Sequence, residues 1–395
     1  MNPMEMDGTR RGPERGLGSG HRYGERDGAA PDHASWSQLD QPPPARPRRP
    51  QPYNARRRKK GRGWLVPALL GSAAVLGLAA YANVRQAQAA ERRHPPRGRF
   101  IHVDGVRLHY IERGEGEPVV LFHGNGALTD DMVTSGLVER LARRHRVIVF
   151  DRPGFGYSER PRDRVWTPMA QAHLLRRAIH RLGIGQATVL GHSLGAIVAL
   201  SLALEYPSMV HGLVLVSGYY YPTARLDVPL FSGPAIPVIG DVMRYTISPP
   251  VTAALLPRIY GKLFEPAPIA PRFEAEFPHD LILRPEHIRA ASVDNALMIP
   301  FVAKLQHRYR GLDVPVTVIS GSDDQVVDFG RHAQRLSDEV PQAELVSVPG
   351  AGHMVHHFAP DLIAGIVERM ARAERAASTG RSDMPRVPKP MGGSY

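Results

Sequence analysis

The chain has 395 residues, 43% of them hydrophobic and 22% charged, which fits one large or two modest globular domains. It has no cysteine, so disulfides, thiolate nucleophiles and cysteine-held metals are excluded. The net charge of +12 sits at the ends: residues 1–63 hold 14 Lys/Arg against 7 Asp/Glu, whereas residues 99–375 carry 29 of each sign, which argues against a nucleic-acid-binding face there.

Residues 1–63 are rich in Gly, Pro, Arg and Asp, with Gln41-Pro42-Pro43-Pro44 as an example. They hold too few apolar side chains to offset the entropy of ordering, and disorder is expected. The run Arg56-Arg57-Arg58-Lys59-Lys60 leads into Trp64–Ala82, which carries no charge. Such a segment makes a helix of about 28 Å, close to a hydrocarbon core of about 30 Å. Trp64 and Tyr81 stand at its two ends, where amphipathic aromatics prefer to lie. Residues 64–83 are therefore expected to form a transmembrane signal anchor. Seven Lys/Arg precede the run (49–63) and four follow it (84–98), which places the N-terminus in the cytoplasm and the rest across the membrane. Two other readings compete. One is a buried core helix. The other is a signal peptide cleaved near Ala87-Gln88-Ala89, giving a secreted or periplasmic protein, but its basic leader would exceed the usual length.

From Arg99 the texture changes. Phe100–Val103 and Val106–Ile111 flank Asp104-Gly105 and read as a hairpin. Apolar runs follow at 119–122, 147–150, 187–190 and 213–216, separated by helical segments such as 168–182 and 194–206. This alternation implies an α/β fold with a mostly parallel sheet covered on both faces. The pattern breaks between about 219 and 310, a Pro-rich apolar stretch with short helical pieces. It resumes with a strand at 314–320, a helix near 329–340, a strand at 343–348 and a helix near 360–375. Residues 376–395 read as a disordered tail.

Gly191-His192-Ser193-Leu194-Gly195 lies between the strand 187–190 and the helix 194–206. At such a junction the turn forces the central serine into a strained conformation, and the residues two positions away must lack side chains. Ser193 is thereby raised above the sheet as a candidate nucleophile. A serine hydroxyl needs a base to remove its proton. His353 follows the strand 343–348 on a loop at the sheet's C-terminal edge, where open α/β sheets build their sites. His356 and His357 are nearby alternatives, for which surface or packing roles are expected. For the acid, Asp323, Asp324 and the more distant Asp328 all follow the strand 314–320.

Residues 99–375 resemble the α/β-hydrolase superfamily. The matching pieces are His123-Gly124-Asn125-Gly126, Asp151–Ser158, Gly191–Gly195, Gly321–Val327 and Gly350–His353, in family order. The resemblance implies that Asp324 rather than Asp323 is the acid, and that Ser193, Asp324 and His353 form a catalytic triad. It also implies an oxyanion hole from the backbone N–H groups of Asn125 and Leu194. The Asp151–Ser158 element is expected to be structural. Residues 219–310 look like the helical cap of the superfamily, and Tyr219-Tyr220-Tyr221, Phe231, Ile236, Leu256 and Phe264 are candidates for an apolar lid or for cap packing. Dehalogenase and epoxide hydrolase branches that look similar carry Asp at the elbow, so Ser193 argues against both activities.

The expected activity is hydrolysis of a carboxylic ester or related acyl bond through an acyl-enzyme on Ser193, with an apolar small-molecule substrate. A cofactor-free haloperoxidase-type oxidoreductase and a non-catalytic binding protein on the same scaffold are the alternatives. No metal or organic cofactor is implied, because no ligand cluster or phosphate loop stands out in the sequence.

Overall fold

The computed structural model describes residues 65–382 apart from 225–227 and 229–230. The expected disorder of 1–63, most of the tail and the first residue of the anchor lie outside the described residues.

The first helix, α1 (Leu65–Arg93), runs ten residues past the expected end of the anchor. Its Ala-, Gln- and Glu-containing second half has strong helix propensity, and nothing between Asn83 and Arg93 breaks it. The sheet follows. β1 (Arg99–Val103) and β2 (Val106–Arg113) form the expected hairpin. Asp104 (φ 51°) and Gly105 (φ 75°) both take the left-handed conformation that a two-residue hairpin turn requires. Then come β3 (Glu117–Phe122), α2 (Thr129–Thr134), α3 (Leu137–Leu141), β4 (His145–Phe150), α4 (Pro168–Arg181), β5 (Ala187–His192), α5 (Leu194–Glu205) and β6 (Val210–Val216). The cap contributes α6 (Ile239–Tyr245), α7 (Ser248–Phe264), α8 (Pro271–Glu276) and α9 (Pro285–Leu305). The sheet resumes with β7 (Val316–Gly321), α10 (Arg335–Glu339), β8 (Ala343–Val348), α11 (Val355–Phe358) and α12 (Pro360–Ser382). The last helix passes residue 376, where a disordered tail was expected, because Ala-rich sequence carries it onward.

The strands form one eight-stranded sheet in the order β1-β2-β4-β3-β5-β6-β7-β8. Only β1–β2 and β2–β4 pair antiparallel; β4, β3, β5, β6, β7 and β8 run parallel. This is the expected α/β-hydrolase architecture with a helical cap. Alternate residues of each strand serve opposite faces. Val120, Phe122, Ile148, Phe150 and Leu215 pack on the side of α4 and α5. Val119, Leu121, Val147, Val149 and Val214 pack against α3 and α12 on the other. Both faces are thus covered, which is why these strands read as unbroken apolar runs.

The cap leaves the sheet after β6 and returns before β7. Tyr219, Tyr220 and Tyr221 at its start are buried in the main core rather than lining a lid, and Leu256 and Phe264 join Phe273, Phe277 and Leu281 in a third apolar cluster. For these residues packing is the role observed. The second half of α1 is docked on this cap. Asn83 donates from Nδ2 to the carbonyls of Tyr245 (2.9 Å) and Thr246 (2.8 Å). Glu91 accepts from Arg284 (2.9 Å), Arg93 pairs with Asp280, and Ala90 is buried in the third cluster.

Candidate active site

The strand β5 ends at His192 and α5 begins at Leu194, leaving one residue to turn the chain. That residue, Ser193, has φ 53° and ψ −118°, a costly conformation for a side-chain-bearing residue. Two close approaches hold it. A Cβ on Gly191 would lie 2.3 Å from the Gly195 carbonyl oxygen, and one on Gly195 would lie 2.2 Å from the carbonyl oxygen of Phe122. Only glycine fits either position. Ser193 N–H donates to the Val216 carbonyl (2.9 Å), tying the elbow to β6.

Ser193 Oγ lies 3.0 Å from His353 Nε2, and His353 Nδ1 lies 2.8 Å from Asp324 Oδ2. With Asp324 ionised, Nδ1 carries the proton and Nε2 is left to accept the serine hydroxyl proton. The second oxygen of Asp324 accepts from the backbone N–H groups of Val326 (2.8 Å) and Val327 (2.9 Å). Burial works to raise the carboxyl's pKa, but the neighbouring imidazole and these two N–H groups outweigh it and hold it below the ordinary value. Asp323 is exposed and bonds Ser322, while Asp328 is exposed and caps the N–H of Arg331 (2.7 Å). Neither meets His353.

The base is fixed by its backbone as well. His353 N–H donates to the Leu263 carbonyl (3.1 Å), and a Cβ on Gly352 would clash with the Glu265 carbonyl at 2.0 Å. Its own carbonyl accepts from His192 Nε2 (3.1 Å). Leu194 opens α5, so its N–H has no acceptor within the helix. The Asn125 side chain donates to the Ala291 carbonyl (3.1 Å) and to Asn295 Oδ1 (2.8 Å), both on α9. That leaves its backbone at the turn after β3.

Three sets of partners in this neighbourhood were not expected from sequence, although the structural and packing roles they serve were. Arg152, in the element read as structural, is fully buried and braces that turn. Its guanidinium donates to the carbonyls of His123 (2.9 Å) and Gly124 (3.1 Å) and pairs with Asp294 on α9 (2.7 Å). Asp151 accepts from His109, Thr129 N–H and Tyr157 N–H, which holds the chain beneath the site. Third, the side chains of His356 and His357 are buried, and both meet Asp131 on α2, at 3.1 and 2.9 Å. Their sequence neighbourhood points outward as readily as inward; only the fold brings α2 against α11. Of the two roles expected for these histidines, surface and packing, burial leaves packing.

The ligand-type atoms of Asp131, His356 and His357 lie within 4.8 Å of one another. Yet each Nε2 already meets a carboxylate oxygen, and both Nδ1 atoms are buried without a partner. Metal-bound imidazoles are normally oriented through that second nitrogen. The group fits a buried hydrogen-bonded cluster better than a metal centre. Burial works to raise the Asp131 pKa, but the two histidines hold it well below its ordinary value, so the carboxylate stays charged.

The model of the alpha/beta hydrolase fold matches residues 117–360. An uncharacterized protein of Mycobacterium tuberculosis is 31% identical over 292 residues, covering 70% of this chain and 81% of that one. A 2-hydroxymuconate semialdehyde hydrolase of Pseudomonas putida is 30% identical over 285 residues, covering 71% and 95%. Among solved structures, a bacterial membrane phospholipase A superposes with a TM-score of 0.54 at 21% identity, covering 79% of this chain and 97% of that one. With the family model spanning more than half of the sequence, the chain belongs to the α/β-hydrolase fold family.

Proposed function

We propose that this chain is a membrane-anchored serine hydrolase that cleaves carboxylic esters with an apolar acyl part. The observation that carries the reading is the unbroken relay from Ser193 Oγ through His353 to Asp324, with 3.0 and 2.8 Å links. In this reading Ser193 Oγ attacks the ester carbonyl while His353 Nε2 takes its proton. Asp324 holds the tautomer and stabilises the imidazolium. The N–H groups of Leu194 and Asn125 receive the developing oxyanion. His353 then hands the proton to the leaving alcohol. A water deprotonated by the same imidazole attacks the acyl-enzyme, releasing the acid and regenerating Ser193.

The apolar substrate and the membrane are supported by α1, which is long and apolar enough to cross a bilayer, with none of its 18-residue apolar stretch buried. The flanking Lys/Arg asymmetry supports a cytoplasmic N-terminus with the hydrolase region on the outer side. Nucleic acid has no part in this reading.

The test is a chain-length series of activated esters on the full-length protein, run beside fluorophosphonate labelling. Labelling should vanish in Ser193→Ala, with ester turnover falling about 10⁴–10⁶-fold. Turnover should rise with acyl length. Near-normal turnover in the variant would sink the assignment. Halide-dependent peroxidation without ester cleavage would favour an oxidoreductase instead.

A further inference from the structure

We propose that the cap face formed by residues 236–251 lies against the lipid of the membrane that α1 crosses, so that the roof of the active site is itself a membrane-contact surface. The inference rests on the anchored reading above and adds a second attachment to it.

The first observation is where apolar surface remains exposed. Among the described residues, eleven large apolar side chains outside α1 stay exposed, and seven of them fall between Phe231 and Val251. The six aliphatics of that group are Ile236, Val238, Ile239, Val242, Ile247 and Val251. Scattered exposed leucines need no explanation, but a local concentration of this kind marks an interaction site. Charge is almost absent from the same stretch. Residues 232–257 contain two charged side chains, Asp241 and Arg244, and these pair with each other at 3.0 Å.

The second observation fixes the height of this face relative to the anchor. Asn83, immediately after the uncharged run, bonds the carbonyls of Tyr245 and Thr246 at the end of α6. Ala79 and Ala80, inside the run, are already half-buried, whereas the residues before them are exposed. At about 1.5 Å per residue, the contact begins roughly 6 Å inside the apolar segment. The exposed aliphatics around α6 therefore sit at the depth where a bilayer's headgroups meet its hydrocarbon, the depth at which amphipathic helices lie.

Val238 adds a third point. It takes φ 66°, a left-handed conformation that a β-branched residue adopts only at a cost, and it is 75% exposed. A solvated turn takes Gly or Asn there; an apolar side chain gains only where something apolar meets it. Lipid satisfies both the patch and the bare α1 beside it, whereas a second copy covering the patch would leave that helix to be covered separately.

The face connects to the chemistry through α9, which packs on α6 and whose Asn295 holds the Asn125 side chain. Ester substrates partitioned in the membrane would then meet the cap before the aqueous phase.

The absence of cysteine makes the test direct. Full-length protein carrying Val238→Cys, Val251→Cys, Leu76→Cys or Leu362→Cys is labelled with a nitrobenzoxadiazole fluorophore and reconstituted into phosphatidylethanolamine–phosphatidylglycerol vesicles. Phospholipid bearing an acyl-chain nitroxide serves as quencher. Labels at 76, 238 and 251 should be quenched and the label at 362 on α12 should not. Quenching at 76 without quenching at 238 and 251 overturns the proposal and leaves the anchor standing. Labels at 238 and 251 shielded from aqueous iodide yet untouched by the nitroxide indicate a second copy and also overturn it. No quenching at 76 removes the anchored reading, and the proposal with it. As a second readout, Val238→Asp with Val242→Asp should slow turnover of a vesicle-borne long-chain ester about tenfold, from lost apolar contact. Turnover of a short water-soluble ester should stay unchanged; an equal loss on both esters contradicts the proposal.

Discussion

The helix α5 and the first eighteen residues of α1 are almost free of charge, and they live in opposite surroundings. α5 is twelve residues long, and ten of them are buried between the sheet and its neighbours. The apolar part of α1 spans eighteen residues, none of them buried. Composition alone does not separate them. Length does: α5 extends about 18 Å, too short for a hydrocarbon core, while the α1 stretch reaches about 27 Å. The strand pattern around α5 supplies a cover, and nothing in the sequence around α1 supplies one. A helix apolar on all sides must find apolar surroundings, and whether these are protein or lipid is decided by what else the chain folds nearby.

The comparison can be broken at several points. The largest effect is expected in the relay that reaches the N-terminus of the covered helix at Ser193. Asp324→Asn leaves the shape of the relay but inverts its tautomer, so kcat should drop about 10⁴-fold with folding retained; steady-state ester turnover with a thermal melt checks both. A drop of only a few-fold would mean that Asp324 does not hold the base. Next, a charge placed in each helix should separate them cleanly. Ala199→Asp in α5 puts an unpaired carboxylate at a fully buried site, at a cost of about 4 kcal/mol or more, read by urea unfolding. Leu70→Asp with Leu76→Asp in α1 should leave that unfolding free energy unchanged and instead reduce retention in the membrane pellet. Equal destabilisation by both would show that the α1 stretch is a core helix after all.

A smaller effect lies under the site. His123 Nδ1–H donates to the Gly124 carbonyl (2.8 Å) and its Nε2 accepts the Arg152 N–H (3.0 Å), so the ring is built to be neutral. Burial, reinforced by the adjacent Arg152 guanidinium, lowers its pKa to about 4. The unfolded chain takes up this proton near pH 6.5, while the folded chain refuses it until about 4. Stability is therefore lost as pH falls through that window, by roughly 3 kcal/mol from this group. Unfolding free energies at pH 7, 5.5 and 4 should show the fall. In His123→Asn, less stable at neutral pH, the acid loss should be shallower by about one proton; an unchanged slope would assign the effect elsewhere.

The parts of this fold that were legible in the sequence are those set by short-range rules. The hairpin at Asp104-Gly105, the parallel strands and the Gly191–Gly195 elbow depend on turn sterics and on strands buried on both faces. All are visible within a few residues. The choice of Asp324 over Asp323 came from family spacing; in the structure the two carboxylates differ in burial, and only Asp324 reaches His353. What stayed hidden depends on which distant elements pack together. The pairing of Asp131 with His356 and His357 spans more than two hundred residues. The brace from Arg152 to Asp294 needs the cap to fold over the sheet first. The three tyrosines at 219–221 suit a lid or cap packing equally by composition, and the structure buries them in the main core. The docking of α1 onto the cap begins at Asn83, whose acceptors are backbone carbonyls and leave no trace in side-chain pattern, and continues through Glu91 and Arg93, whose partners lie nearly two hundred residues away.

The bond from His353 N–H to the carbonyl of Leu263 has a mechanical consequence. Leu263 belongs to the last turn of α7, so this end of the cap and the peptide plane of the proton acceptor are one joint. Swinging α7 outward would tear the imidazole away from the hydroxyl it serves. A doorway that leaves the machinery armed must therefore avoid α7 and open elsewhere along the cap, toward α6 and its exposed aliphatics.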